Sequence, residues 1–189
     1  MRKDFGTKHW VYPMPVFVLG TYNEDGSANA MTAAWGGISE EDEIFICLDD
    51  EHKTARNIEK RMAFTVSIPD VENVAEADYV GIVSGNDEPD KMKNVKWTPI
   101  KSKFVDAPIF EELPMVLECE VSSWTPENCR LFGKIKNLSV DERILSENGL
   151  IDLKKFRPIT VDGVNSVYYE LGEKIADAYE IGQTLMSNE

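Results

Sequence analysis

Histidine, cysteine and positive charge are scarce in this chain. The two histidines among 189 residues, His9 and His52, lack the H-x-x-x-H or H-E-x-x-H spacing that holds zinc. Cys47, Cys119 and Cys129 form no C-x-x-C pair, and an odd, dispersed set is a poor disulfide framework. They read as three reduced thiols, and no metal site is expected. There is no G-x-S-x-G elbow for a serine hydrolase. No G-x-G-x-x-G or G-x-x-x-x-G-K-[ST] follows a strand pattern, which leaves a Rossmann site or a P-loop unsupported. The segment from Met1 to Gly6 leads into no apolar run of signal-peptide length. Nothing approaches the ~20 apolar residues of a membrane helix. A cytoplasmic location is the expectation from these absences.

The charge balance narrows the partners. Lys plus Arg number 20 and Asp plus Glu 34, a net charge of −14. Nucleic acid is disfavoured, because its affinity comes largely from basic side chains neutralising phosphates. An anionic membrane surface is disfavoured for the same reason. A small anionic ligand must therefore be held locally, by a few basic residues and backbone N–H groups. Hydrophobic residues make up 42% of the chain, enough for a core.

The residues present read as short strands with two helical interruptions. Val16–Tyr22 is β-branched and aromatic and ends at Asn23-Glu24-Asp25-Gly26, where Asp-Gly signals a tight turn. Ala28–Trp35, broken by Gly36-Gly37, and Ile44–Leu48 complete an antiparallel meander. Residues 54–60 carry helix formers, with Thr54 placed as the N-cap. Ala63–Ile68 returns to strand character and stops at Pro69-Asp70. Val71, Val74, Ala75 and Tyr79 recur at helical spacing, predicting a helix over 71–83. Ser84–Lys91 is a polar loop rich in chain breakers. Met115–Ser123 alternates with period two, placing Glu118 and Glu120 on its outer, solvated face. Leu131–Val140 pairs with it as a hairpin, with Pro126-Glu127-Asn128 near the turn, and Val167–Tyr169 is a last strand. No repeat or composition break appears, so residues 1–189 read as a single domain. Its core runs from about residue 12 to 172, and the pattern leaves the form of the tail, 173–189, open. Many short strands with few helices indicate a barrel with helical excursions.

Two regions have chemical potential. His52-Lys53-Thr54 sits where the predicted helix begins, and a helix N-terminus offers free N–H groups and the positive end of a dipole. A lysine ammonium and a threonine hydroxyl there suit a phosphate, although Thr54 also suits a simple cap. Ser27–Gly37 is rich in small residues that would let a flat ligand approach a strand backbone, although an ordinary strand pair reads the same.

Taken in order, the motifs resemble a family. Asn29-Ala30-Met31-Thr32-Ala33-Ala34-Trp35 fits N-x-M-T-x-[AS]-W, and Thr54-Ala55-Arg56-Asn57-Ile58 fits T-x-x-N-I. Ala77-Asp78-Tyr79-Val80-Gly81, Ser84-Gly85 and Asp90-Lys91 fit A-D-x-x-G-x-x-S-G…D-K. The chain resembles the flavin reductase and flavoredoxin family over about residues 12–172. That resemblance implies a mainly β fold with inserted helices, a six-stranded antiparallel Greek-key split barrel. It also implies a homodimer with FMN near the dimer interface.

Carried over by position, Asn29, Ala30, Met31 and Thr32 would line the isoalloxazine and ribityl chain. Cys47 and Leu48 would lie beside the ring, and Lys53 and Thr54 would hold the phosphate. Ser84, Gly85 and Lys91 would form the rim, and Trp35 would pack either on the flavin or in the core. The acidic loop Asn86-Asp87-Glu88-Pro89 departs from many relatives and argues against tight binding of a second phosphate-bearing cofactor. The function implied is an FMN-dependent oxidoreductase using NAD(P)H, a flavin reductase. The alternatives are a flavoredoxin-like carrier with a protein redox partner, or a module that only holds the flavin. No catalytic acid–base pair is expected, because the chemistry is the flavin's.

Overall fold

The computed structural model describes residues 1–186. Its elements are, in order, β1 (Met14–Pro15), β2 (Phe17–Tyr22), β3 (Ala28–Ala33), β4 (Gly36–Glu40), β5 (Glu43–Cys47), α1 (Lys53–Arg61), β6 (Ala63–Ile68) and α2 (Val74–Ile82). There follow β7 (Pro99–Lys101), β8 (Pro108–Phe110), β9 (Met115–Thr125), β10 (Arg130–Val140), α3 (Leu153–Phe156), β11 (Ile159–Asp162) and β12 (Val167–Glu170).

The main sheet is antiparallel, in the order β3-β2-β6-β9-β10-β5-β4. Its two edge strands, β3 and β4, are consecutive in the chain, so the sheet curls back toward its own start. Register shifts at Phe132/Gly133 and Ile135/Asn137 break the long β9–β10 ladder, and such irregularities bend strands and aid the curl. This is the mainly β split barrel. A three-stranded sheet (β1-β11-β12) and a two-stranded one (β7-β8) flank it.

The concave face of the curled sheet encloses one core of Phe17, Leu19, Ile44, Ile46, Ile58, Phe64, Val66 and Leu131, all buried, with α1 closing one end. On the opposite face of β2 and β3, Val18 and Ala30 pack against Ala77 and Val80 of α2 and against Trp97 and Phe110. Both faces of these strands are therefore apolar, which explains why β2 reads as an unbroken apolar run rather than an alternating one.

The turns follow local chemistry. Gly26 takes φ +84° at the tip of the β2–β3 hairpin, a conformation open to glycine at little cost. Asp70 receives the amides of Glu72 and Asn73 and caps a short 3₁₀ turn, Val71–Asn73, which leads into α2. The segment foreseen as one helix over 71–83 is thus a capped turn followed by the helix proper.

Two local expectations need correction. The N-cap of α1 is His52, in extended conformation and with no side-chain cap, while Thr54 is the second residue of the helix and is buried. Thr54 cannot cap because it already lies inside the first turn; its hydroxyl oxygen instead accepts from Asn29. Glu118 is not an outward, solvated carboxylate. It is buried, donated to by Ser102 Oγ at one oxygen and by Asn137 Nδ2 at 2.6 Å at the other. The segment around Ser102 covers that face of β9, and period-two alternation cannot reveal a second covering layer.

Candidate functional site

An open cleft of about 710 Å³ lies between the β2–β3 turn, the start of α1 and the loop that follows α2. Its walls include Asp25, Asn29, Lys53, Gly85, Lys93 and Trp97. At one end stands the N-terminus of α1. Among the described residues, the amides of Lys53, Thr54 and Ala55 find no acceptor, so three N–H groups and the positive dipole end are unused. The first turn of α1 contains no acidic residue.

The helix is pinned in place by a buried polar network. Asn29 Nδ2 donates to Thr54 Oγ1 at 2.9 Å and to Thr21 Oγ1 at 3.3 Å. Asn57 Nδ2 donates to Thr21 Oγ1 at 3.1 Å and to Asn23 Oδ1 at 2.9 Å. Arg61 Nη2 donates to the Asn23 carbonyl at 2.8 Å. Three strand or turn residues are thereby locked to two turns of α1, which fixes the direction of the helix N-terminus. Thr54 donates to no acceptor in this network, so its hydroxyl proton is free.

Gly85 closes the cleft from the loop side. A Cβ at this position would lie 2.8 Å from Asn29 Oδ1 and 3.3 Å from Lys53 Cγ. The loop reaches the helix start only because residue 85 has no side chain. The cleft is electrically mixed, with Glu24, Asp25 and Asp90 as well as Lys53 and Lys93 on its walls. The hydroxyl and amide of Ser27 hold the Asp25 carboxyl below the usual carboxylate range. An anion is therefore favoured at the α1 end and opposed at the turn.

The structure brings Asn29, Lys53, Thr54 and Gly85 together, with Ser84 next to them accepting the Asn86 amide at 3.1 Å. The other foreseen residues are spread along β3 and beyond. Ala30 is fully buried toward α2, and Met31 packs on the opposite side against the main core. Thr32 Oγ1 donates to the Ala77 carbonyl at 2.5 Å, tying β3 to α2. Leu48 lies in the core, with its amide on the Cys129 carbonyl at 3.0 Å.

The Cys47 amide donates to the Trp35 carbonyl at 2.7 Å. The Trp35 ring is half exposed and lies 5.5 Å from the His9 ring, beside an apolar depression of about 360 Å³. Asn29 lies near the start of β3 and Trp35 in the bend just past its end, so the cleft and that depression stand at opposite ends of the strand. Lys91 stands behind the loop, buried, donating to the carbonyls of Val80 at 3.1 Å and Val83 at 2.8 Å. It caps the end of α2, and its burial lowers its pKa to about 8.

Sequence reasoning passed over Thr21, Asn23 and Arg61, and it noted Asn57 only as part of a motif. Nothing local marks the first three, because their role exists only once β2, the turn and α1 are stacked.

A curled antiparallel barrel that aims an uncapped helix N-terminus into an open cleft has the form of a small-molecule-binding protein with one end of its cleft suited to an anion. The match to known proteins is specific. Residues 9–160 match the model of the flavin reductase like domain, and the chain belongs to that family. It is similar to a flavoredoxin of Desulfovibrio vulgaris (Miyazaki F), at 38% identity and a TM-score of 0.91, over 96% of this chain and 100% of the other. A flavoredoxin from Methanosarcina acetivorans is 26% identical, with a TM-score of 0.86 over 98% of this chain and 100% of that one. The FMN-binding domain of a flavin reductase-like enzyme from Shewanella baltica shares the fold at 21% identity and a TM-score of 0.73, over 86% and 88% of the two chains. No helix among the described residues is long and apolar enough to cross a membrane.

Proposed function

We propose that the cleft binds FMN and that the loaded protein is an oxidoreductase drawing its electrons from NAD(P)H. One observation carries the reading: an α1 N-terminus with three unpaired amides, beside Lys53, in a cleft that residue 85 leaves open only by being glycine. Such a site suits a phosphate in a chain whose net charge of −14 otherwise repels anions. Lys53 supplies a point charge from the wall. Thr54 lies below the floor, where it orients the Asn29 amide and keeps a hydroxyl proton for the phosphate.

The remaining candidates follow β3. It is an edge strand, so the outer backbone groups along Ala30, Met31 and Thr32 are unpaired in the sheet and would face a planar ring. Cys47 and Trp35 would flank the ring's far end, with Leu48 behind Cys47 in the core. Ser84, Gly85 and Lys91 would set the rim, Lys91 by fixing the end of α2. FMN when bound supplies the hydride- and electron-transfer chemistry; the chain holds, orients and shields it. The working state is a cytoplasmic homodimer, in which the second copy covers the exposed Trp35 face.

The test is direct. The purified protein should show oxidised-flavin absorption, and rapid mixing with NADH or NADPH should bleach it. Protein that binds FMN but is not bleached by either nucleotide overturns the reductase reading.

A second reading, an electron carrier serving a protein partner, is favoured by the 38% identity to a flavoredoxin. The acidic surface would steer a basic partner. Bleaching by a reduced redox protein, in the absence of nucleotide, supports it. A flavin that neither donor reduces would leave a module that only holds it.

A further inference from the structure

We propose that Arg56 is a second phosphate-binding residue of the cleft, held on Asn86 until an anion takes that place. The inference rests on the phosphate reading of the α1 end given above and adds a recognition residue to it. The T-x-x-N-I motif leaves position 56 open, so the family resemblance assigns this side chain no role.

The first observation is a shortfall of positive charge. A phosphate monoester carries about −1.5 to −2 charges at neutral pH. Lys53 is the cation on the cleft wall at the α1 end, and it is shared. The Ser27 hydroxyl and amide hold the Asp25 carboxyl below the usual carboxylate range, and the Lys53 ammonium adds to the effect. The other cations around the cleft are engaged among the described residues. Lys93 pairs with Asp90 at 2.8 Å, Lys60 with Glu24, and Arg61 with Asp106 at 3.1 Å. Lys91 is buried on the carbonyls of Val80 and Val83. A dianion at α1 therefore calls for one more positive group.

The second observation is the position of Arg56. It is exposed, in the first turn of α1, three residues after Lys53. Helical residues so spaced are neighbours, with Cβ atoms about 5–6 Å apart. Among the described residues Arg56 forms no ion pair, although Asp50 and Glu59 line a polar depression beside it. Its guanidinium turns instead to the loop after α2, where Nη1 donates to Asn86 Oδ1 at 3.4 Å. That is a long bond to a neutral acceptor. Asn86 lines the cleft and is held over the helix start, its Nδ2 donating to the Glu51 carbonyl at 2.9 Å. The guanidinium thus rests at the cleft rim. A phosphate oxygen is a stronger acceptor than an amide, and the planar fork of arginine can meet two such oxygens at once. Exchanging Asn86 for phosphate gives up one weak contact and gains charge-assisted ones.

The experiment titrates FMN and riboflavin into wild type, Arg56→Met and Arg56→Lys, read by quenching of flavin fluorescence. The urea midpoint of both variants should match wild type, because an exposed side chain with one weak contact is removed. FMN affinity should fall about tenfold in Arg56→Met, the loss of one charge-assisted contact at an open site. It should fall less in Arg56→Lys, which keeps the charge and loses the fork, and riboflavin affinity should hold in both. Inorganic phosphate should displace FMN from wild type at lower concentration than it displaces riboflavin. FMN binding by Arg56→Met should also depend less on added salt than binding by wild type. If Arg56→Met binds FMN as wild type does while Lys53→Met binds it more weakly, the role of Arg56 is overturned and the phosphate still sits at α1. If neither variant loses affinity, the phosphate reading falls with it. Equal losses for FMN and riboflavin in Arg56→Met overturn a phosphate contact at Arg56.

Discussion

Replacing Lys53 by methionine isolates the charge at the helix start from everything else the side chain does. The Lys53 stem packs beside Gly85, with Cβ and Cγ 3.4 and 3.3 Å from where a Cβ at that glycine would lie. Methionine keeps an unbranched stem there. Stability should change by no more than about 0.5 kcal/mol, as for surface substitutions that break no network. What is lost is one charge-assisted contact to the phosphate, worth about 1.5–3 kcal/mol. At ~1.4 kcal/mol per tenfold, FMN affinity should fall roughly 10- to 150-fold. Riboflavin has no phosphate, and its affinity should barely move. Quenching of flavin fluorescence, titrated with both ligands into wild type and K53M, measures the contrast. The FMN preference of the wild type should also weaken with added salt more than that of the variant, because its ammonium stands at an open cleft. Equal losses for FMN and riboflavin, or no loss for either, would refute the placement of the phosphate at α1.

Thr54→Val keeps the volume of a buried side chain but removes the acceptor of Asn29 Nδ2, which retains only its 3.3 Å bond to Thr21. Urea unfolding should show a loss of about 1–2 kcal/mol with an unchanged m-value, and FMN binding should weaken more than riboflavin binding. Lys91, with its pKa lowered to about 8 by burial, binds fewer protons folded than unfolded between that pH and about 10.5. Stability should therefore rise with pH across that window, by up to ~3 kcal/mol at 1.36 kcal/mol per unit. The rise should be absent in Lys91→Met relative to wild type, and equal pH profiles for the two proteins would contradict the assignment. The Cys119 thiol, pushed up to about 12 by burial beside Glu118, should resist alkylation at pH 8 in the native protein. Mass spectrometry of the native protein should find three free thiols, and a reversible disulfide linked to activity would defeat a purely flavin-based mechanism.

Much of this protein is legible in its sequence alone, and the reasons are local. Asp25-Gly26 marks a hairpin because few other pairs tolerate such a turn. The strand runs at 16–22, 63–68 and 115–123 carry their β propensity in their own side chains, and the motifs at Asn29, Thr54 and Ser84-Gly85 pointed to one family. The misreadings have one cause. The sequence suggests a cap at Thr54 because it shows that residue's neighbours along the chain but not Asn29 of β3, which donates to it in the folded protein. Glu118 reads as a solvated carboxylate because alternation records one covered face and cannot register Ser102 and Asn137 arriving on the other. Composition, turn chemistry and short motifs, which act over a few residues, determined the class and most of the strands. Only the tertiary structure decided that Asn29, Lys53, Thr54 and Gly85 share one cleft, that Lys91 turns inward to α2, and that residues 173–186 stand clear of their own body. Each of these depends on contacts between residues far apart in the chain, and such contacts exist only once the sheet has curled.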